Sequence, residues 1–141
     1  NLAGDGYTTR QIAGQVRRAL LYQPKVVVIM AGANDILGGD FREQEVVDGY
    51  IYIAKLFAGK PSQCLVTLPT KLRDPSQTET VELLNGRLSD ILPEMGCLVV
   101  DLNPDLAPNG VLERRFTRDG IHLNQEAYAV WADRLRPLLP K

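Results

Sequence analysis

The sequence predicts an α/β domain built on a parallel sheet. Three short apolar runs, at residues 26–30, 65–68 and 98–100, are rich in β-branched residues or leucine and too short for helices, so they read as buried parallel strands. Longer segments with helical spacing lie between them, the alternation expected of crossover connections. At 141 residues and 45% apolar content, the chain has enough material for one compact domain with a sizeable core.

The first helix is predicted from Thr8 or Thr9 to Leu21. Ile12, Val16, Ala19 and Leu20 share one face, Thr8 suits the N-cap, and Pro24 closes the segment. The strand at 26–30 follows. A second helix is expected over residues 43–57, with Val46, Tyr50, Ile53 and Phe57 in register and Gly59 and Pro61 beyond its end. After the strand at 65–68, a third helix begins near Pro75. It carries Val81, Leu84, Leu88 and Ile91 and is expected to stop before Pro93 and Gly96. The strand at 98–100 leads to residues 103–118, rich in Pro, Asn and Gly and read as a loop. The last helix starts after Asn124 as N-cap, with Glu126 placed to suit the helix dipole and Tyr128, Trp131, Leu135 and Leu138 as its buried stripe.

Charge narrows the classes of partner. Sixteen basic and seventeen acidic residues give a net charge of -1 and are scattered without runs, so nothing marks a surface for nucleic acid or an anionic membrane. No apolar run is long enough to span a bilayer. A small neutral or mildly polar substrate fits better. Cys64 and Cys97 each open an apolar run and are expected to be buried free thiols; a disulfide or a redox pair are the alternatives. Without a third ligand they do not suggest a metal site, and no cofactor is expected.

Three segments carry chemistry. In an open parallel sheet ligands bind beyond the carboxyl ends of the strands, and Gly32-Ala33-Asn34-Asp35 directly follows the first of them. Gly32 allows a sharp turn and Asn34 offers an amide donor to a developing oxyanion. Alone, the same four residues also read as an ordinary turn bound to its own backbone. Near the start, Asn1 to Thr9 contains Gly4-Asp5-Gly6, where the Gly6 N–H could serve as an anion donor close to a helix start. His122, the only histidine, stands three residues after Asp119. This spacing lets the carboxylate orient the imidazole while the other ring nitrogen accepts a hydroxyl proton. Singly, such a pair is more often an ordinary turn.

Taken in order, the three segments resemble the SGNH, or GDSL-type, hydrolase family across nearly the whole chain. Its second block reads Asn, four residues, Gly, one residue, Thr-Thr, matched by Asn1, Gly6, Thr8 and Thr9. Its third is Gly-x-Asn-Asp, matched by Gly32, Asn34 and Asp35; its last is Asp-x-x-His before a helix, matched by Asp119 and His122. Ala127 stands where many relatives have Gly. The resemblance implies a flavodoxin-like three-layer α/β/α sandwich and an ester hydrolase. His122 and Asp119 would then be catalytic, Gly6 and Asn34 would form the oxyanion hole, and Gly32 and Asp35 would support it.

One block is missing. The family's Gly-Asp-Ser is absent, because Asp5 is followed by Gly6 and none of Ser62, Ser76 and Ser89 follows a glycine-aspartate pair. Family topology puts a central strand before that serine and an edge strand before the second block, and both would precede Asn1. The expectation is therefore a single domain over residues 1–141, incomplete at its N-terminus. An upstream segment or chain would complete the sheet and supply the nucleophile toward a small-molecule ester, and this chain alone would be inactive. The rivals are a non-catalytic binding or scaffolding domain of the same fold and, more weakly, a flavodoxin-like phosphate or nucleotide binder, which lacks a Gly-rich phosphate loop here.

Overall fold

Three parallel strands, β1 (Val26–Met30), β2 (Gln63–Thr67) and β3 (Leu98–Val100), lie side by side in the order β1-β2-β3. The computed structural model describes residues 1–140. Val28 pairs with Leu65, and Leu65 with Leu98, so all three carboxyl ends face the same way. The connections supply α1 (Thr9–Leu20), α2 (Ala33–Leu37), α3 (Glu43–Lys55), α4 (Thr78–Glu94), α5 (Asn103–Leu106) and α6 (Gln125–Leu135).

Strand alternation sends neighbouring side chains to opposite faces, and each face has its own core. Ile29, Cys64 and Val66 pack with Val16 of α1, Val47 and Tyr50 of α3, and Leu84 and Leu88 of α4. Leu65 and Val100 pack on the other side with Leu102, Leu106, Leu112 and Phe116, joined by Ala127 and Trp131 of α6. Helices thus cover both faces in three layers. Local signals set the helix ends. Thr8 N–H and its hydroxyl both donate to the Gln11 side-chain oxygen at the start of α1, at 2.9 and 3.1 Å, and Asn124 Oδ1 accepts from Ala127 N–H at 3.1 Å at the start of α6.

Several expectations need correction. Cys64 and Cys97 form a disulfide rather than two free thiols, because the parallel register brings the residues preceding Leu65 and Leu98 side by side, with Cα atoms 4.7 Å apart. The third helix runs past Pro93. Its stop is Gly96, at φ 84°, where Gly96 N–H donates to Pro93 O and Cys97 N–H to Leu92 O in a Schellman ending. Residues 103–118 are not wholly loop, since they hold α5 and a 3-10 turn at Arg114–Phe116. The short α2 was not anticipated, because five residues are too few for a periodic signal.

The stripe of the last helix is the most instructive miss. Tyr128 is 54% exposed, Leu138 is also exposed, and Trp131 and Leu135 are only half-buried. Tyr128, Trp131 and Leu135 overlook the free edge of β1, where an apolar groove of about 740 Å³ lies between α1 and α6.

Candidate active site

Both suspected segments sit at the carboxyl ends of the strands. β1 is followed by Ala31, whose carbonyl accepts from the Tyr50 hydroxyl at 2.9 Å. Burial pushes the Tyr50 phenol far above its ordinary range, so it stays a neutral donor. Gly32 then turns the chain at φ 100°, and a Cβ there would meet Pro69 Cγ at 2.9 Å. Only glycine satisfies both the left-handed backbone and the close approach.

That turn opens α2 and aims Asn34 and Asp35 at the segment leading into α1. Asn34 Nδ2 donates to Tyr7 O at 3.0 Å. Asp35 Oδ2 accepts from both Thr9 N–H, at 2.8 Å, and Thr9 Oγ1, at 2.9 Å. A carboxylate receiving two donors is a strong clamp. Together these bonds fix the turn at Gly6, which has φ 73° and whose N–H makes no hydrogen bond among the described residues. The Asn34 amide carries two N–H donors, so anchoring one to Tyr7 leaves the other available.

The second group is local. Asp119 Oδ1 accepts from Ile121 N–H at 2.9 Å and His122 N–H at 2.8 Å, while Oδ2 meets His122 Nδ1 at 2.5 Å. The imidazole bond, followed by the two backbone donors, holds the Asp119 carboxyl well below the usual carboxylate range. A carboxylate bonded to Nδ1 fixes the ring and leaves Nε2 without a partner among the described residues. The His122 side chain is 77% exposed and makes no other hydrogen bond among the described residues. Gly120, at φ 88°, permits the turn, and its N–H is held by Thr117 Oγ1 at 3.0 Å.

The structure therefore joins Gly6, Gly32, Asn34 and Asp35 into one corner and Asp119 and His122 into another. No direct hydrogen bond links the two. The serines lie elsewhere: Ser62 is buried ahead of β2, at the opposite end of the sheet, while Ser76 and Ser89 are exposed on the 3-10 turn at Pro75–Gln77 and on α4. Among the described residues no group of three or more His, Cys, Asp or Glu side chains could hold a metal ion. No helix there is long and apolar enough to cross a membrane.

Sequence reasoning missed Tyr50, Asn85 and Asn103 as supports of the site. Asn85 had a signal, a lone amide next to Leu84 on the apolar face of its helix; Asn103 had none beyond turn chemistry.

The profile of the GDSL-like lipase/acylhydrolase family matches residues 1–130. The chain belongs to this family. Solved structures of GDSL members share the fold. A GDSL-like lipase from Bacteroides thetaiotaomicron is 21% identical with a TM-score of 0.81, the match covering 94% of this chain and 71% of that one. A member of the lipolytic G-D-S-L family from Veillonella parvula is 18% identical with a TM-score of 0.78, covering 96% and 76%. A carbohydrate esterase of family 3 from Talaromyces cellulolyticus is 19% identical with a TM-score of 0.73, covering 94% and 66%. No curated protein matches the sequence. The architecture is accordingly that of a GDSL, or SGNH, hydrolase: a three-layer α/β/α sandwich on a parallel sheet.

Proposed function

We propose that this GDSL-family chain carries the acid–base pair and the oxyanion donors of a serine carboxylic-ester hydrolase, with the serine supplied by a segment upstream of Asn1. The observation that carries the reading is the Asp119/His122 pair: an ionised carboxylate on Nδ1 and an open Nε2 at the carboxyl end of a parallel sheet. In this reading His122 Nε2 takes the serine proton as the hydroxyl attacks the ester carbonyl. The tetrahedral oxyanion is held by the serine N–H, the Gly6 N–H and the free Asn34 amide N–H. His122 then returns the proton to the departing alcohol. Water repeats the sequence on the acyl-serine to release the acid, with Asp119 stabilising the imidazolium throughout.

The free edge of β1 supports the location of the serine. Its unpaired backbone groups are flanked by Val16 of α1 and by Trp131 and Leu135 of α6, an apolar trough shaped for one more strand. A parallel strand seated there would run toward the carboxyl end of β1, the end from which Gly32 and Asn34 follow. It would also cover the exposed stripe of α6. The esters hydrolysed are taken to be small molecules, because the charge distribution favours no nucleic acid or anionic surface.

A non-catalytic domain of the same fold is the second reading, favoured by the lack of a Gly-Asp-Ser block in this sequence and of any hydrogen bond between His122 and a serine among the described residues. Turnover of a chromogenic short-chain ester by the full-length gene product separates the two. The hydrolase reading expects turnover that His122→Ala abolishes; turnover indifferent to His122→Ala, or none at all, would contradict it.

A further inference from the structure

The two corners of the site make no direct hydrogen bond, yet both rest on residues 69–73, which leave β2 and run beneath them. At one end Pro69 fills the space that a Cβ on Gly32 would occupy, so the β1–α2 turn leans on the proline ring. At the other end Arg73 N–H donates to Gly120 O at 2.9 Å, and the Arg73 Cβ lies 3.0 Å from where a Gly120 Cβ would be. Between them Leu72 O accepts from Leu112 N–H at 3.1 Å, and Arg73 Nη1 donates to Leu112 O at 3.2 Å.

This segment is itself pinned by two buried asparagines from different elements. Asn85 Nδ2 of α4 and Asn103 Nδ2 of α5 both donate to Pro69 O, at 2.8 and 3.1 Å. Asn103 Oδ1 accepts from Lys71 N–H at 2.7 Å. Asn85 is 8% exposed and its Oδ1 has no partner among the described residues. An orphaned buried amide oxygen is costly, and an apolar side chain of similar volume would avoid it. The bond to Pro69 is what that cost secures.

We infer that residues 69–73, held by Asn85 and Asn103, are a strap that sets the oxyanion corner and the Asp119/His122 corner at a fixed separation. Asn85, Asn103 and Arg73 are thus positioning residues, acting through Pro69 and Gly120 rather than on substrate. The catalytic consequence rests on the hydrolase reading; the mechanical one does not.

Amide hydrogen exchange on the full-length gene product, followed over the residues of this chain, reads the mechanical claim. The probes are Ile36 N–H, bonded to Gly32 O, for the first corner, and Arg73 and His122 N–H for the second. Asn103→Ala or Asn85→Leu should raise exchange at both corners by about tenfold or more, while Val66 and Val99 in the sheet keep their rates. Arg73→Ala, which removes only the guanidinium bond and its stem, should loosen the second corner alone and serves if the asparagine variants do not fold. Glu82→Gln, which breaks only the Lys71 surface pair, should change neither. Uniform acceleration that includes Val66 and Val99, or acceleration confined to the corner nearer the substitution for both asparagines, would overturn the strap.

In the serine-complete enzyme, Asn103→Ala should lower kcat by about ten- to a hundredfold with KM within about twofold. Loosened corners with unchanged kcat would overturn the positioning role. Absence of any wild-type turnover would instead count against the hydrolase reading and leave the exchange result to decide the strap.

Discussion

The two corners of the site are built in opposite ways. Asp119 and His122 are three residues apart and make their own geometry through one turn, with the carboxylate binding two backbone N–H groups and the ring that follows. The corner proposed to hold the oxyanion is assembled from afar: Asn34 reaches back 27 residues to Tyr7, and Asp35 reaches 26 to Thr9. The first is exposed and local; the second leans on a buried glycine, a buried tyrosine and the packing of α1 against α3. A local pair can hold its shape while its surroundings loosen, whereas a corner drawn from two chain segments fails when either shifts. Substitutions in the two corners should therefore differ in what they disturb as well as in how much.

Asp119→Asn should have the largest effect on the complete enzyme. An amide at this position can present the wrong hydrogen-bonding partner to Nδ1 and cannot stabilise the imidazolium, so kcat should fall by roughly four decades with little change in thermal stability. Asn34→Ala comes next. It removes the proposed oxyanion donor and the bond to Tyr7 O together, and kcat should fall by roughly two to three decades. Asp35→Ala tests the distant assembly itself. Losing the clamp on Thr9 N–H and Oγ1 should lower stability by roughly 1.5–3 kcal/mol in urea unfolding. Turnover should fall more modestly than with Asn34→Ala. A loss of stability from Asp119→Asn equal to that from Asp35→Ala would break the contrast between a local and a distant corner.

The smallest effect concerns acid. The Asp119 carboxyl is held below its ordinary value by His122 and two backbone N–H groups, so its contribution is present above pH 3.8 and is lost only as pH falls through the lowered value. Carbon NMR of the Asp119 carboxyl at pH 3.8 should find it still ionised. Half-protonation there would mean the turn does not favour the charged form.

Much of this was legible in the sequence because it is short-range. The start of α1, the runs of β1 and β3 and the start of α6 followed from a capping threonine, two apolar runs and a capping asparagine, and the spacing of Asp119 and His122 marked a pair that, taken singly, reads more often as an ordinary turn. What could not be read depends on register or on neighbours. The disulfide needs the offset between β2 and β3, which no spacing reveals. The α2 turn is too short for periodicity, and Pro93 looked like a stop because the stronger terminator, Gly96, lay three residues on. The stripe of Tyr128, Trp131 and Leu135 has the spacing of a buried face, but spacing says only that a face is apolar, not what lies opposite. Here the opposite surface is the free edge of β1. By contrast, β2 lies between two strands and is covered from Cys64 to Thr67, with Leu65 and Val66 entirely buried.

Whether a nucleophile belongs at that free edge is the question on which the account turns, and one measurement addresses it directly. The full-length gene product is treated with a serine-directed phosphonate, digested, and the modified peptide identified by mass spectrometry, with His122→Ala in parallel. The account predicts a single labelled serine in a peptide upstream of Asn1, with labelling strongly reduced in His122→Ala. Modification of Ser62, Ser76 or Ser89, or no modification at all, would contradict it.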